Sequence, residues 1–278
     1  MPPKDKSAYS RTWDAYVTKS FPRIKAGPPH QAENLQPWQV LNTTDAEYTW
    51  PGDEWGDARA VAQILDTCVA PYLGAAPQAI CEIASGGGRF TQALLDRYPD
   101  TRLHCFDISQ AFLDQMQRRF ADEIALGRVR THRLTDRPAL MFKTLEKAGL
   151  RRTLDAVVSF DAMVHVELHS VLIYVATAAA TLKPGGLLAM NVADGANPRA
   201  FEKLLCNAPG AFRLGGQAGP HFQFMSREIV DTMLSRMGFV YDLHDCNGRD
   251  LFFSARLDDP EAAPRAFKDA GSNWLPAA

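Results

Sequence analysis

The clearest signal along this chain is a change in hydrophobic period near residue 57. Ala60–Leu73 places Val61, Ile64, Leu65 and Val69 at helical spacing and stops near Pro71. Short apolar runs then alternate with amphipathic stretches. Gln78–Ala84 predicts a strand, Arg89–Tyr98 a helix, Arg102–Phe106 a strand, and Ser109–Ala125 a long helix with Ser109 as N-cap. Gly127–Leu134 predicts a third strand, and Pro138–Ala148 a helix ended by Gly149. Leu154–Phe160 has the β-branched density of a strand buried on both faces. Glu167–Leu182 predicts a helix broken by Lys183-Pro184-Gly185-Gly186, which feeds a strand over Leu187–Val192. Repeated strand–helix units imply a mainly parallel sheet covered by helices on both sides, an α/β architecture.

The two ends have a different texture. Four of the five tryptophans lie before residue 56, among prolines and with little alternation, so residues 1–56 read as an aromatic-rich extension or lid of short helices and loops. After the fifth strand come a helix near Asn197–Cys206, a Gly-rich loop over Asn207–Gly219, and a helix over Ser226–Met237. Phe239–His244 and Asp250–Arg256 flank Asn247-Gly248, a hairpin signal. The domain proper is expected over 57–257, and the Pro- and Ala-rich tail 258–278 is expected to lack regular structure.

Composition narrows the class. The chain has 278 residues, 46% hydrophobic and 22% charged, with a net charge of -2. That balance is not the strongly basic footprint of a nucleic-acid binder. From Arg118 to Arg152 ten basic residues face four acidic ones, but without interleaved aromatics they read as a solvated outer face. The apolar run Val171–Leu182 is short of the roughly 18–20 residues that span a bilayer. The start shows no secretory signal, and five cysteines without a CxxC pair point to free thiols in a reducing compartment. A cytoplasmic enzyme with a small-molecule substrate, without nucleic-acid or membrane partners, is the expectation.

The chemistry concentrates in Glu82-Ile83-Ala84-Ser85-Gly86-Gly87-Gly88-Arg89-Phe90, between the first strand and its helix. A Gly-rich turn there lets a ligand approach the backbone, and the helix N-terminus favours an anionic group. Asp107, 19 residues after Gly88 and at the end of the second strand, can accept hydrogen bonds from ribose hydroxyls. The GxGxxG dinucleotide fingerprint lacks its third glycine, because Thr91 stands there. The segment resembles instead the first motif of class I S-adenosylmethionine-dependent methyltransferases, acidic-x-Gly-x-Gly-x-Gly. Glu82, Gly86 and Gly88 match, and Ala84 replaces the first glycine. Phe106-Asp107, Ser159-Phe160-Asp161, Leu182-Lys183-Pro184-Gly185-Gly186 and the closing hairpin agree with that family.

The resemblance implies a Rossmann-like, doubly wound, seven-stranded sheet with an antiparallel C-terminal hairpin, and S-adenosylmethionine as cofactor. It implies that Glu82, Ala84, Ser85, Gly86 and Gly88 hold the methionine part and Asp107 the ribose. Ile108 would pack beside the adenine, Thr135 and Asp136 would lie near its amino group, and Ser159 and Phe160 would line the methionine side. Methyl transfer needs a base only for a neutral hydroxyl or a protonated amine. His165, just after the fourth strand, suits that role with its ordinary pKa of ~6.5; Asp161 and His221 are further candidates. His165 and His169 are four apart, on one face if helical, but the spacing is not that of a His-Glu-x-x-His zinc site and no metal is expected. Trp50–Gly56 reads as a fixed loop near the cofactor entrance, and Asp45, Glu47, Asp53, Glu54 and Asp57 as an acidic, solvated loop. The most direct expectation is transfer to a hydroxyl of a sugar or natural product. N- or carboxyl-methylation, a nicotinamide-dependent oxidoreductase and a non-catalytic cofactor-binding module are the alternatives.

Overall fold

The computed structural model describes residues 7–26, 49–55, 58–135, 137–211, 222–272 and 274. Eight strands form one sheet: β1 Ala79–Ile83, β2 Arg102–Asp107, β3 Val129–Arg133, β4 Leu154–Ser159, β5 Leu182–Asp194, β6 Phe224–Met225, β7 Phe239–His244 and β8 Asp250–Leu257. Their order is β3-β2-β1-β4-β5-β8-β7, with β6 a two-residue addition to β5. Strands β1 to β5 pair in parallel, while β8 runs antiparallel to β5 and β7 antiparallel to β8. The sheet thus carries one short strand more than the seven expected.

Period-two alternation divides β1 between two cores. Cys81 and Ile83 join Phe106, Val157, Leu188 and the helix α8 residues Val171 and Val175, α8 being Leu168–Thr181. Ile80 faces the other way, onto Leu94 of α4 Arg89–Arg97 and Met116 of α5 Gln110–Arg119. Both faces are therefore covered, which is why β1 and β4 are apolar almost throughout. The chain steps outward from β1 to β2 and β3, and the connection from β3 to β4 then crosses to the other side of β1. The strand order therefore reverses at this point and leaves a crevice at the carboxyl ends of β1, β2 and β4.

Three expectations change. Lys183-Pro184-Gly185-Gly186 does not precede β5 but lies inside it. Leu182 pairs with Leu154 and Leu187 with Ala156, so the four residues bulge out of register, with Gly185 at φ 75. The tail also orders: Ala262–Asp269 is a helix in which Ala263 and Pro264 are buried. Phe267 and Trp274 pack against the core beside Phe142, and that apolar surface outweighs the Pro- and Ala-rich composition. The Gly-rich loop expected over Asn207–Gly219 begins instead as the last turns of a helix, Pro198–Ala211.

The N-terminal extension lies on the crevice. Helix α1, Ser7–Ala15, passes through a π-helical turn, Tyr16–Ser20, into α2, Phe21–Ala26. A tight loop ending in the turn Asp53–Trp55 comes next among the described residues. No helix among the described residues is long and apolar enough to cross a membrane.

Candidate active site at the carboxyl edge

The glycine turn is shaped by its neighbours as much as by its own residues. Ala84 has φ 58, a left-handed conformation that costs an L-residue about 1–2 kcal/mol, at the position where a glycine was expected. Ser85 N donates to Phe106 O at 3.0 Å and Gly88 N to Ser85 O at 3.0 Å. Gly86 and Gly88 also have positive φ. A Cβ on Gly88 would lie 2.3 Å from Phe120 and 2.6 Å from Met116, so α5 requires glycine there. A Cβ on Gly87 would lie 2.0 Å from the Pro51 carbonyl oxygen. On Gly86 it would meet only Phe112, at 3.9 Å, so this wall of the turn has room for a ligand.

Asp107 is buried, and its two oxygens accept from Gly86 N and Ser109 N, each at 2.8 Å. Burial pushes its pKa up to about 6, against the opposing pull of those amides. A carboxylate offers about four lone-pair sites, so two remain for hydroxyl donors. Glu82, also buried, accepts from the Thr91 hydroxyl, and burial pushes it up to about 7. Ser109 caps α5 by accepting from Phe112 N at 3.1 Å, as expected. Its hydroxyl also donates to Asp14 Oδ1 at 2.6 Å, and the same oxygen accepts from Ala111 N at 3.1 Å. The half-buried Ile108 packs against the core, and its carbonyl accepts from Ser10 Oγ at 3.0 Å. Helix α1 is therefore tied to the start of α5 by three hydrogen bonds.

Beyond β4, Ser159 donates to Ile83 O at 2.8 Å and locks the two central strands together. The Phe160 ring turns inward, onto Phe90 and Phe252. Asp161 has φ 59; its amide donates to Asn191 Oδ1 at 2.8 Å, and its carboxylate pairs with Arg89 at 2.9 Å. His165 ends a 3-10 turn, Met163–His165, before α8 begins. It does not share a helix face with His169, because the extended Val166 breaks the register; His169 is exposed on α8. The His165 ring lies edge-on to Trp13 (5.6 Å) and to Phe222 (4.9 Å), and its carbonyl accepts from Tyr9 Oη at 3.3 Å. The Phe222 ring also carries Lys203 Nζ at 5.4 Å and the Arg249 guanidinium at 4.8 Å. Thr135 is exposed just past β3 and accepts from Arg137 N at 3.2 Å. Asp136 and His221 lie outside the described residues, as do Asp45, Glu47 and Asp57 of the acidic segment. No cluster of three or more His, Cys, Asp or Glu able to hold a metal occurs among the described residues.

Over this floor lies an aromatic layer. Tyr16 stands 4.9 Å from Trp55 and 5.9 Å from Phe112, and Trp13 stands 5.8 Å from Trp55. The Trp50–Trp55 loop is closed on itself by Asp53 N to Trp50 O and Gly52 N to Glu54 Oε2. It is fastened by Arg119, whose Nη1 donates to Asp53 Oδ1 at 2.9 Å and to Gly87 O at 3.0 Å. Arg119, Asp14, Tyr9 and Arg89 were not singled out from the sequence. Arg119 sits in the basic stretch read as a solvated outer face, but it is largely buried here. A shallow cavity of about 260 Å³ lined by Tyr72, Asp155 and Lys183 lies at the opposite, amino end of the strands. It shares no residue with this constellation.

Residues 81–188, from β1 into β5, match the family model described as a methyltransferase domain. No curated protein sequence matches the chain significantly. Among solved structures, magnesium protoporphyrin IX methyltransferase from Synechocystis, with S-adenosylhomocysteine bound, superposes with a TM-score of 0.57. It is 14% identical, and the match covers 90% of this chain and 99% of that one. An O-methyltransferase family protein from Burkholderia thailandensis gives 0.52 at 17% identity, covering 90% of this chain and 70% of that one. Geranyl diphosphate C-methyltransferase from Streptomyces coelicolor gives 0.52 at 15% identity, covering 70% and 78%. At these identities the likeness is one of fold.

Proposed function

We propose that this chain, which carries a class I S-adenosylmethionine-dependent methyltransferase domain, moves the methyl group to a hydroxyl of a small molecule such as a sugar or natural product. The cofactor supplies, when bound, a methyl group on a sulfonium, open to in-line displacement. The residues at the carboxyl edge suit it. Asp107 retains acceptor sites for a ribose diol, Gly86 leaves room beside the turn, and the Ser85 hydroxyl is buried without a partner, as a group awaiting a ligand would be. Glu82 and Ala84 complete that turn. We assign Ile108 and Thr135 to the adenine side, with Asp136, which lies outside the described residues, beside Thr135 in the chain.

The observation that carries the acceptor assignment is the placing of His165. It sits at the end of β4 beside the crevice, between Trp13 and Phe222, with its main chain held by Tyr9. A hydroxyl needs a proton acceptor as it attacks, and an imidazole set between rings that exclude water can take that proton. Asp161 is held by Arg89 and serves better to fix that corner than to accept a proton. His221, which lies outside the described residues, is the further candidate for the base. The aromatic faces offer stacking surface to a ring-shaped acceptor, and the free thiols of the chain suit a reducing cytoplasm.

Titration with S-adenosylhomocysteine should show binding; no binding overturns the reading. His165→Ala should lower kcat on a hydroxyl acceptor by about 10²–10⁴-fold while cofactor affinity stays close to wild type. Unchanged turnover would remove His165 as the base. A panel of hydroxyl, amine and carboxylate acceptors decides the nucleophile, and turnover only on amines would replace the O-methylation reading.

A further inference from the structure

Buried hydroxyls without a hydrogen-bond partner are rare in native proteins, and each one calls for an explanation. Among the described residues two of them occur at this crevice: Ser85 Oγ in the glycine turn, and Tyr16 Oη in the layer above it. Thr101 and Thr177 are further orphaned hydroxyls among the described residues, but they lie at the amino end of β2 and within α8, away from the carboxyl edge. Tyr16 and Ser85 belong to the same place. The Tyr16 ring is 5.9 Å from Phe112, and Phe112 is the residue that bounds the open side of Gly86, next to Ser85.

The backbone gives a second, independent reason to single out Tyr16. It opens the π-helical turn Tyr16–Ser20, in which Phe21 N donates to Tyr16 O. Such a turn inserts one residue and rotates the helix before it relative to the helix after it, and these insertions recur at functional sites. Helix α1 before the turn is tied to the site by Tyr9, Ser10 and Asp14, while Val17 and Phe21, in the turn and just after it, are buried. The inserted residue lets the chain satisfy both sets of contacts with the Tyr16 ring kept among Trp13, Trp55 and Phe112. Packing alone explains the ring. It does not explain a phenol oxygen buried with nothing to bond.

We propose that Tyr16 is a cofactor-binding residue supplied by the N-terminal extension, its hydroxyl and that of Ser85 donating to the same polar end of S-adenosylmethionine, the methionine carboxylate. This rests on the methyltransferase reading and deepens it. The carboxylate is the cofactor's one anionic group, and two neutral hydroxyl donors suit it without bringing another cation beside the sulfonium. The extension then closes the site by bonding the ligand as well as by covering it.

The test compares wild type, Tyr16→Phe, Ser85→Ala and the double variant as full chains. The readouts are calorimetric titration with S-adenosylhomocysteine and thermal unfolding without ligand. Each single variant should bind about tenfold more weakly, a change of about 1.4 kcal/mol. The double variant should lose less than the product of the two, because both hydroxyls serve one group. Tyr16→Phe should not lower the ligand-free Tm, since it removes a hydroxyl that bonds to nothing. Wild-type affinity in Tyr16→Phe, or a lowered ligand-free Tm matching the affinity loss, would overturn the proposal while leaving the methyltransferase reading intact. Failure of the wild-type chain to bind S-adenosylhomocysteine would take down both.

Discussion

Gly87→Ala isolates the contact between the N-terminal loop and the cofactor turn. Gly87 does not occupy the left-handed region, so alanine fits its backbone and the turn itself need not change. The obstacle is the Pro51 carbonyl oxygen, 2.0 Å from where the new methyl would stand, with the carbonyl carbon at 3.1 Å. Non-bonded carbon contacts settle near ~3.5–4.0 Å, so the loop has to retreat by more than about 1 Å. That retreat strains the Arg119 bridge to Asp53 and Gly87 O and draws Trp55 away from Tyr16. Overpacking of this kind costs about 1–3 kcal/mol, and here it falls on closure of the loop rather than on the sheet, which makes no use of Pro51. The closed form should lose a factor of about 5–150 against the open one, and S-adenosylhomocysteine affinity should fall by up to that factor if only the closed form binds. Intrinsic fluorescence reports the same event, because Trp50 and Trp55 both ride on the loop. The variant should emit further to the red and be quenched more readily by iodide, with a Tm close to wild type. Unchanged emission together with unchanged affinity would refute the claim that this loop rests on the glycine turn in solution.

Three other outcomes rest on the same geometry. Arg119→Met should weaken S-adenosylhomocysteine binding by about 5–20-fold, and Arg119→Lys should recover only part of it, because a freely rotating ammonium on a shorter side chain does not hold the fixed position from which the guanidinium Nη1 reaches both the Asp53 carboxylate and the Gly87 carbonyl; equal affinity in all three proteins would contradict the role of this residue as a latch. Ala84→Gly should raise stability by up to about 1 kcal/mol in urea denaturation, since relief of the φ 58 strain exceeds the added chain entropy; a loss would show that Ala84 is not strained. The third concerns the stacked pair His104 and His132, whose ring nitrogens lie 3.1 Å apart on β2 and β3. Burial and the neighbouring His132 lower His104 from 6.5 to about 4. The unfolded chain takes up this proton as pH falls below about 6.5 and the folded chain does not, so stability should drop between pH 6.5 and 4 by about 3 kcal/mol. Urea titrations at several pH values should show that slope in wild type and a shallower one in His104→Leu; equal slopes would exclude the pair as its source.

The glycine turn and the strand ends around it were legible because their signals are local. A three-glycine turn after an apolar run, an acidic residue at the end of the next strand and a serine N-cap each lie within about 30 residues, and each has a direct backbone reason. The polar fastenings of the aromatic extension were not. Asp14 meets Ser109 across 95 residues, and Arg119 meets Asp53 across 66, as pairs of charged or polar groups that look solvent-bound in the sequence. A charge pattern records no partner, so Arg119 read as part of an outer face. The shared face that His165 and His169 would have on a helix does not form, because the extended Val166 ends the first turn before the helix starts.

By itself the sequence determined the mainly parallel sheet and the glycine turn between its first strand and the helix that follows. Hydrophobic period and glycine conformation are properties of the chain at short range. Only the tertiary structure decided that the extension lies on that turn, that an alanine can hold the left-handed place of the first glycine, and that the Tyr16 hydroxyl is buried with no partner among the described residues. Those features depend on which surfaces meet, and a surface acquires a partner only after the sheet has brought distant segments to one edge.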